Sequence, residues 1–197
     1  MKNRWATLFL LAACVAIPAR ADITIVVIRH GEKPERGLGQ LNCQGLNRAL
    51  ALPDVLVAKF GKPDALFAPD PGVTADDLGQ PYNYIRPLAT IEPTAIRLGR
   101  PVNTQWGLAN LAPLEDELLS PAHAGQLLVV AWEHSLAVQL ARDILSRRGA
   151  DPASVPDWPR DDFDSIYVLS IPVSGKAAFR LDHEGLDGQS MSCPGQK

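Results

Sequence analysis

Ile23-Thr24-Ile25-Val26-Val27-Ile28-Arg29-His30-Gly31 is the stretch that decides how this chain reads. Its first six residues have the length and β-branched content of a buried strand. A cation, an imidazole and a glycine then fall where the strand ends, and Glu32-Lys33-Pro34 follow. In open α/β sheets, ligands bind at the carboxyl ends of strands. Arginine presents a planar fork to an oxyanion, histidine attacks or carries protons near neutral pH, and glycine lets backbone approach a ligand closely. The stretch therefore predicts a phosphate site at the end of the first strand.

Outward from it, strand and helix alternate. A glycine-rich loop, Gly37-Leu38-Gly39, precedes a helix over 45–60 whose apolar positions are Leu46, Leu50, Val55 and Leu56. Pro53 is expected to split or kink that helix. A short strand is predicted over 64–68, then a polar surface loop over 71–83 that covers a site. A helix over 86–98 carries Pro87 in its first turn, where proline is tolerated. An extended piece over 101–104 and a short helix over 114–119 come next. A buried strand over 127–132 leads into a helix over 135–148, with Leu136, Leu140, Ile144 and Leu145 on one face. A proline- and acid-rich connection, 151–162, precedes a hairpin of 165–171 and 177–182. The alternation predicts an α/β fold of three layers, α/β/α: a mostly parallel sheet with helices on both faces and an antiparallel C-terminal edge hairpin.

The second apolar strand repeats the layout of the first. Leu127-Leu128-Val129-Val130-Ala131-Trp132 ends in Glu133-His134-Ser135. His134 thus stands at a strand end and at a helix start, where free N–H groups favour an anion. Between the histidines, Arg86 and Thr90 are four apart and share a helix face.

These residues, in this order, resemble the histidine phosphatase superfamily, the phosphoglycerate mutase-like fold. Arg29-His30-Gly31 matches its R-H-G signature, Leu41–Ala49 (LNCQGLNRA) its L-(x)3-G-(x)2-R-A segment, Arg86 with Thr90 its R-(x)3-T helix start, and His134 its second histidine. The similarity covers 22–197 as motif order and is greatest to exported bacterial members reading R-H-G-E-K-P and W-E-H. It implies that His30 is the nucleophile, forming a phosphohistidine, and that Arg29, Arg86 and His134 bind the phosphoryl oxygens. His30 must be neutral to attack, and the flanking arginines disfavour its protonated form. No metal or other cofactor is expected, since the arginines supply the positive charge.

The general acid is less legible. Some members carry Asp directly after the second histidine, where this chain has Ser135. Others place a carboxylate between the second arginine and the second histidine. In that interval Glu115 and Glu133 are the candidates, and without an acid the enzyme favours good leaving groups. Tyr82 and Tyr84 are candidates for substrate contact. Glu32 and Lys33 read either as a solvated pair or as the rim of the site. His123 and His183 read as surface residues, Trp106, Trp132 and Trp158 as packing, and Asp161, Asp162 and Asp164 as solvated or capping acids.

Residues 1–21 read as an export signal: Lys2 and Arg4, an apolar stretch from Trp5 to Ile17, and an Ala19-Arg20-Ala21 cleavage site. The rival reading is a lipoprotein box, Leu11-Ala12-Ala13-Cys14, which lipidates Cys14 and is the one route to a membrane. Residues 22–197 are expected to form one domain in the periplasm or outside the cell. Removal of the signal leaves 16 basic residues against 22 acidic ones, a net charge of −6. That argues against nucleic acid or an anionic membrane as partner. Cys43 and Cys193 then remain, either as a disulfide or as two separate thiols. The leading function is an exported phosphomonoesterase acting on a small phosphomonoester or a phosphorylated surface. The alternatives are a phosphate-binding pseudoenzyme and a phosphomutase.

Overall fold

A computed structural model of the chain describes residues 22–196. The signal-peptide and Cys14 readings lie outside these residues.

The apolar runs pair first. Strand β1 (Ile23–Arg29) lies parallel to β6 (Leu127–Trp132), with Arg29 opposite Trp132, and Ile25 to Ile28 have no exposure. The six-stranded sheet has the order β5-β2-β6-β1-β7-β8, where β2 is Ala65–Phe67, β5 Val102–Asn103, β7 Ser165–Ile171 and β8 Ala178–His183. β5, β2, β6 and β1 are mutually parallel; β7 runs antiparallel to β1, and β8 to β7. This is the mostly parallel sheet with an antiparallel C-terminal edge that the alternation predicts.

Side-chain alternation along the strands splits the core in two. Ile25, Val27, Leu128, Val130 and Trp132 face helices α3 (Leu111–Leu118) and α4 (His134–Arg147). Val26, Ile28, Val129 and Ala131 face α1 (Cys43–Phe60) and α2 (Arg86–Leu98). The layers are α/β/α.

Three local readings need correction. Pro53 does not split α1, which runs unbroken through it; the proline ring is buried and only one intrahelical N–H is absent. Segment 71–83 is not wholly loop: Thr74–Asp76 (β3) and Pro81–Asn83 (β4) pair as an antiparallel hairpin, whose three-residue, mostly exposed strands carry no apolar alternation to announce them. Helix α3 begins three residues earlier than its expected start, and Leu111 is buried in the core.

The C-terminal tail is fastened to α1. Cys43 and Cys193 form a disulfide with 4.6 Å between Cα atoms, and Asn47 Nδ2 donates to the carbonyls of Ser190 and Ser192. No helix among the described residues is long and apolar enough to cross a membrane.

Candidate active site

β1 and β6 are neighbours, yet α1 follows β1 onto one face of the sheet and α4 follows β6 onto the other. The crevice at the carboxyl ends of two such strands is where open α/β sheets take ligands. His30 continues the ladder, its N–H donating to Trp132 O at 3.0 Å, so His30 and the Glu133-His134 pair emerge side by side.

The R-H-G glycine has a steric reason. A Cβ on Gly31 would stand 2.9 Å from Gly45 O, and one on Gly45 would stand 2.3 Å from Glu32 O. The start of α1 therefore packs backbone to backbone against the turn after His30, and Asn42 Oδ1 caps it by accepting from Gly45 N–H at 2.8 Å. Gly31 N–H also donates to Thr90 Oγ1 at 2.9 Å, and Thr90 Oγ1 donates to Arg86 O at 2.8 Å. Three of the four sequence motifs meet in these contacts.

His30 is 2% exposed. Its Nδ1 lies 2.8 Å from Gly31 O, which only an N–H can satisfy, so the proton of the neutral ring is on Nδ1 and Nε2 carries the lone pair. Tyr84 Oη lies 3.1 Å from Nε2 and donates to it. Burial, and then the Arg86 charge, pull the imidazole down to about 3, with Arg29 adding to the effect. His30 is neutral at any ordinary working pH. Burial pushes the Tyr84 phenol up, so it keeps its proton.

The two arginines are held differently. One Arg29 nitrogen, Nη1, donates to the carbonyls of Pro159, Arg160 and Asp162 at 3.3, 2.9 and 2.6 Å, and the guanidinium stacks 3.9 Å from the Phe163 ring centre. Burial brings it down to about 10, where it stays protonated. Arg86 pairs through Nη1 with Asp77 and lies 4.3 Å over the Tyr84 ring. Among the described residues, Nε of each arginine is a buried donor without a partner. Two unmet cationic donors beside a neutral imidazole suit a phosphoryl group.

His134 lies in the first turn of α4, with Nδ1 against Glu133 and Nε2 3.4 Å from Ser135 Oγ. Glu133 caps the helix, accepting from Leu136 N–H at 3.0 Å. Burial pushes its carboxyl up, but contact with His134 and the Leu136 N–H outweigh this and hold it at about 2. Glu133 is in the cleft as an ionised group that orients His134.

Glu115 is elsewhere. It is buried in α3 and bonded to Arg147 Nη1 at 3.0 Å. Arg147 is the last residue of α4, about 20 Å along the helix from His134 at 1.5 Å per residue. Glu115 anchors α3 to α4 and does not reach the cleft. Its burial in the middle of an amphipathic turn is what sequence position alone could not reveal.

The cleft has a volume of ≈ 500 Å³ and is walled by Lys33, Asp77, Tyr84, Arg86, His134 and Arg160, among others. Glu32 and Lys33 are not a pair. Glu32 is buried and bonded to Arg48, while Lys33 Nζ reaches Asp77 Oδ1 at 3.2 Å on the cleft wall. Of the two tyrosine candidates for substrate contact, Tyr84 is buried with its hydroxyl at His30 Nε2, and Tyr82 lies in β4 outside the cleft lining. Asp77 is the cleft residue that sequence reasoning missed, because segment 71–83 carried no motif; its one signal was the need of a buried arginine for a carboxylate. His123 is also less exposed than expected: its ring is bonded to Gln126 and Glu117 and packs edge-on against Phe67. Asp162 is a capping acid, as one of its two readings had it, accepting from the Asp164 and Ser165 N–H groups. Among the described residues no group of acids, histidines and cysteines is arranged to hold a metal ion.

No family model and no curated protein matches the sequence. Solved structures do match over nearly the whole described chain. Phosphohistidine phosphatase SixA of Nakamurella multipartitia, so named, is 18% identical, with 84% of this chain and 98% of that one covered and a TM-score of 0.55. Phosphoglycerate mutase of Bacillus anthracis is 10% identical, with 84% and 93% covered and a TM-score of 0.51. The chain has the phosphoglycerate mutase-like fold. A mycobacterial glucosyl-3-phosphoglycerate phosphatase in complex with inorganic phosphate shares this fold at 20% identity, with 83% and 96% covered and a TM-score of 0.50. In the phosphoglycerate mutase-like fold of this chain, residues 22–83 hold the nucleophile candidate and the buttress beneath it, and the later segments bring Arg86 and His134 to it.

Proposed function

We propose that this protein is a metal-independent phosphomonoesterase that works through a phosphohistidine on His30. The observation that carries the reading is the His30 ring: neutral, with Nδ1–H fixed on Gly31 O and the Nε2 lone pair turned to the hydroxyl of Tyr84, a residue of the cleft wall, beside two arginines with unmet Nε donors. Nε2 attacks phosphorus, the N–P bond forms, and the ester P–O bond breaks with its electron pair leaving on the ester oxygen. Arg29, Arg86 and His134 hold the non-bridging oxygens and stabilise the spread negative charge. Water then attacks phosphorus, the P–N bond breaks, Nε2 regains its lone pair, and phosphate departs.

The cleft volume suits a small phosphomonoester or a phosphorylated side chain at a surface. The Cys43–Cys193 disulfide supports an oxidising compartment, hence export by residues 1–21. Mass spectrometry of the exported protein tests this: an N-terminus at Asp22 supports simple cleavage, and a diacylglyceryl adduct on Cys14 supports a lipoprotein. A phosphate-binding role without turnover is favoured by one feature, the Tyr84 hydroxyl on the nucleophilic nitrogen.

The deciding experiment is hydrolysis of p-nitrophenyl phosphate with chelator present, together with acid trapping of a phosphoenzyme. Turnover and an acid-labile phosphohistidine, both absent in His30→Ala, support the phosphatase. Phosphate binding with neither refutes it in favour of the binding module.

A further inference from the structure

We propose that Asp77 is the general acid of this site, delivering the proton to the leaving-group oxygen. The proposal rests on the phosphohistidine reading of His30. Among the described residues, three carboxylates line the cleft: Asp76, Asp77 and Glu133. Glu133 is committed to His134 and the start of α4. Asp76 is exposed and its Oδ1 accepts from Gly79 N–H at 3.1 Å within its own turn. Asp77 is 4% exposed and stands between the buried Arg86 and the partly exposed Lys33.

The glycine-rich loop is built around this carboxylate. Gly39 N–H donates to Asp77 Oδ2 at 3.1 Å. A Cβ on Gly37 would stand 2.5 Å from Asp77 Cγ, and Gly37 itself has φ +74°. Asp77 is thereby aimed from its own hairpin and from the loop after β1.

In the free protein Asp77 is held below the usual carboxylate range. Burial opposes this, but Arg86, the Gly39 N–H and Lys33 prevail. Arrival of a phosphate monoester on Arg86 changes the balance. A dianionic group takes the guanidinium that Asp77 had, and two anionic oxygens then share one cation. Like charges at such range favour a proton between them. The other charged or titratable groups of the cleft, Lys33, Asp76, Tyr84, Glu133, His134 and Arg160, are present before and after binding and supply no opposing change.

Placement on the leaving side follows from in-line displacement. His30 is deep, so the leaving oxygen points outward, where Lys33, 34% exposed in its side chain, holds the other oxygen of Asp77. As the P–O bond breaks, the ester oxygen takes the electron pair and the Asp77 proton, and Asp77 returns as a carboxylate to Arg86 and Lys33. In the second half-reaction that carboxylate accepts the proton of the attacking water.

The test compares wild type, Asp77→Asn and Asp77→Glu on p-nitrophenyl phosphate and on glycerol 2-phosphate, with phosphohistidine trapping on each. Asp77→Asn is expected to lose about 10²–10⁴-fold on the alkyl phosphate and less than about tenfold on the nitrophenyl ester, since only the poor leaving group needs the proton. Asp77→Glu is expected to recover part of the alkyl activity. Equal losses on both substrates make Asp77 a support for Arg86 and overturn the proposal, as does no loss on either. If Asp77→Asn does not fold, wild type decides: similar rates on the two esters support an acid, and a steep fall on the alkyl ester overturns it. Absence of turnover and of phosphohistidine in wild type overturns the phosphatase reading and this proposal with it.

Discussion

Stability should peak on the acid side of neutrality, and replacing Glu184 with Gln should shift that peak. Arg48 has no exposure, and four carboxylates surround it: Glu32 at 2.8 Å, Glu184 at 2.7 Å, Asp187 at 3.0 Å and Asp164 at 3.3 Å. One guanidinium cannot neutralise them all. Burial, opposed by Arg48 and aided by Asp164 and Glu32, pushes Glu184 up to about 8. Arg48 itself is stabilised as a cation by these carboxylates against the cost of burial. A carboxyl raised on folding binds its proton more tightly in the folded state, so its contribution is full below about 4.5 and is lost as pH climbs towards 8. His30 works the other way: lowered to about 3, it contributes stability that is complete above its unfolded value of 6.5 and is lost as pH falls. Between about 4.5 and 6.5 the two slopes cancel, and above 6.5 only the Glu184 loss remains. At 1.36 kcal/mol per unit, wild type should lose roughly 2 kcal/mol between pH 6.5 and 8. Urea denaturation at pH 5, 6.5 and 8 measures this, and Glu184→Gln should be flat over the upper interval. A wild-type stability that holds level or rises from pH 6.5 to 8 would refute the reasoning, as would an identical fall in the variant.

Other consequences are simpler to read. Gly31→Ala and Gly45→Ala should each cost about 1–3 kcal/mol in denaturant unfolding, the second more, because the new Cβ meets rigid backbone at 2.9 Å and 2.3 Å respectively. Joint replacement of Cys43 and Cys193 by serine opens a loop spanning 150 residues and should cost about 2–5 kcal/mol, with earlier proteolysis after Leu186. Arg29→Lys should lower kcat/KM by about a hundredfold or more, because lysine's single nitrogen, once on the three carbonyls, leaves no flat face to stack on Phe163 and no second nitrogen to meet phosphate.

The fold was legible where periodicity was strong. The two apolar runs at 23–28 and 127–132 became adjacent parallel strands, and that adjacency brings His30 and His134 together. Arg86 and Thr90 were legible from spacing, and Thr90 does tie its helix to Gly31. What stayed hidden was decided by burial and long-range pairing. Glu115 and Asp77 are both acids in unremarkable polar segments; one packs between α3 and α4, the other under Arg86, and no local pattern separates the two cases. The β3–β4 hairpin escaped for the same reason. The Leu41–Ala49 segment was visible as a motif but not as a mechanism. It carries no atom to the cleft: Gly45 permits the backbone approach, and Arg48 ties Glu32, two residues after His30, to the C-terminal segment through Glu184 and Asp187.

The difference between the arginines leads to a last prediction. Arg29 is held by neutral carbonyl dipoles, which fix its direction and leave it without a carboxylate in direct contact; Glu133 and Asp162 act on its charge only from further off. Arg86 is held by a carboxylate, so in the free site its charge is already matched. An anion that binds both must therefore compete with Asp77 on one side only. If the competition ends with Asp77 taking a proton, binding of a dianion should be accompanied by uptake of about one proton near neutral pH. Sulfate serves as the probe, because it carries no exchangeable proton of its own in that range. Calorimetry in buffers of different ionisation enthalpy reads the uptake directly. Wild type should show it, and Asp77→Asn should bind sulfate without it, more tightly because no carboxylate must yield. Uptake of the same size in the variant would place the proton elsewhere and remove the link between Arg86, Asp77 and the leaving group.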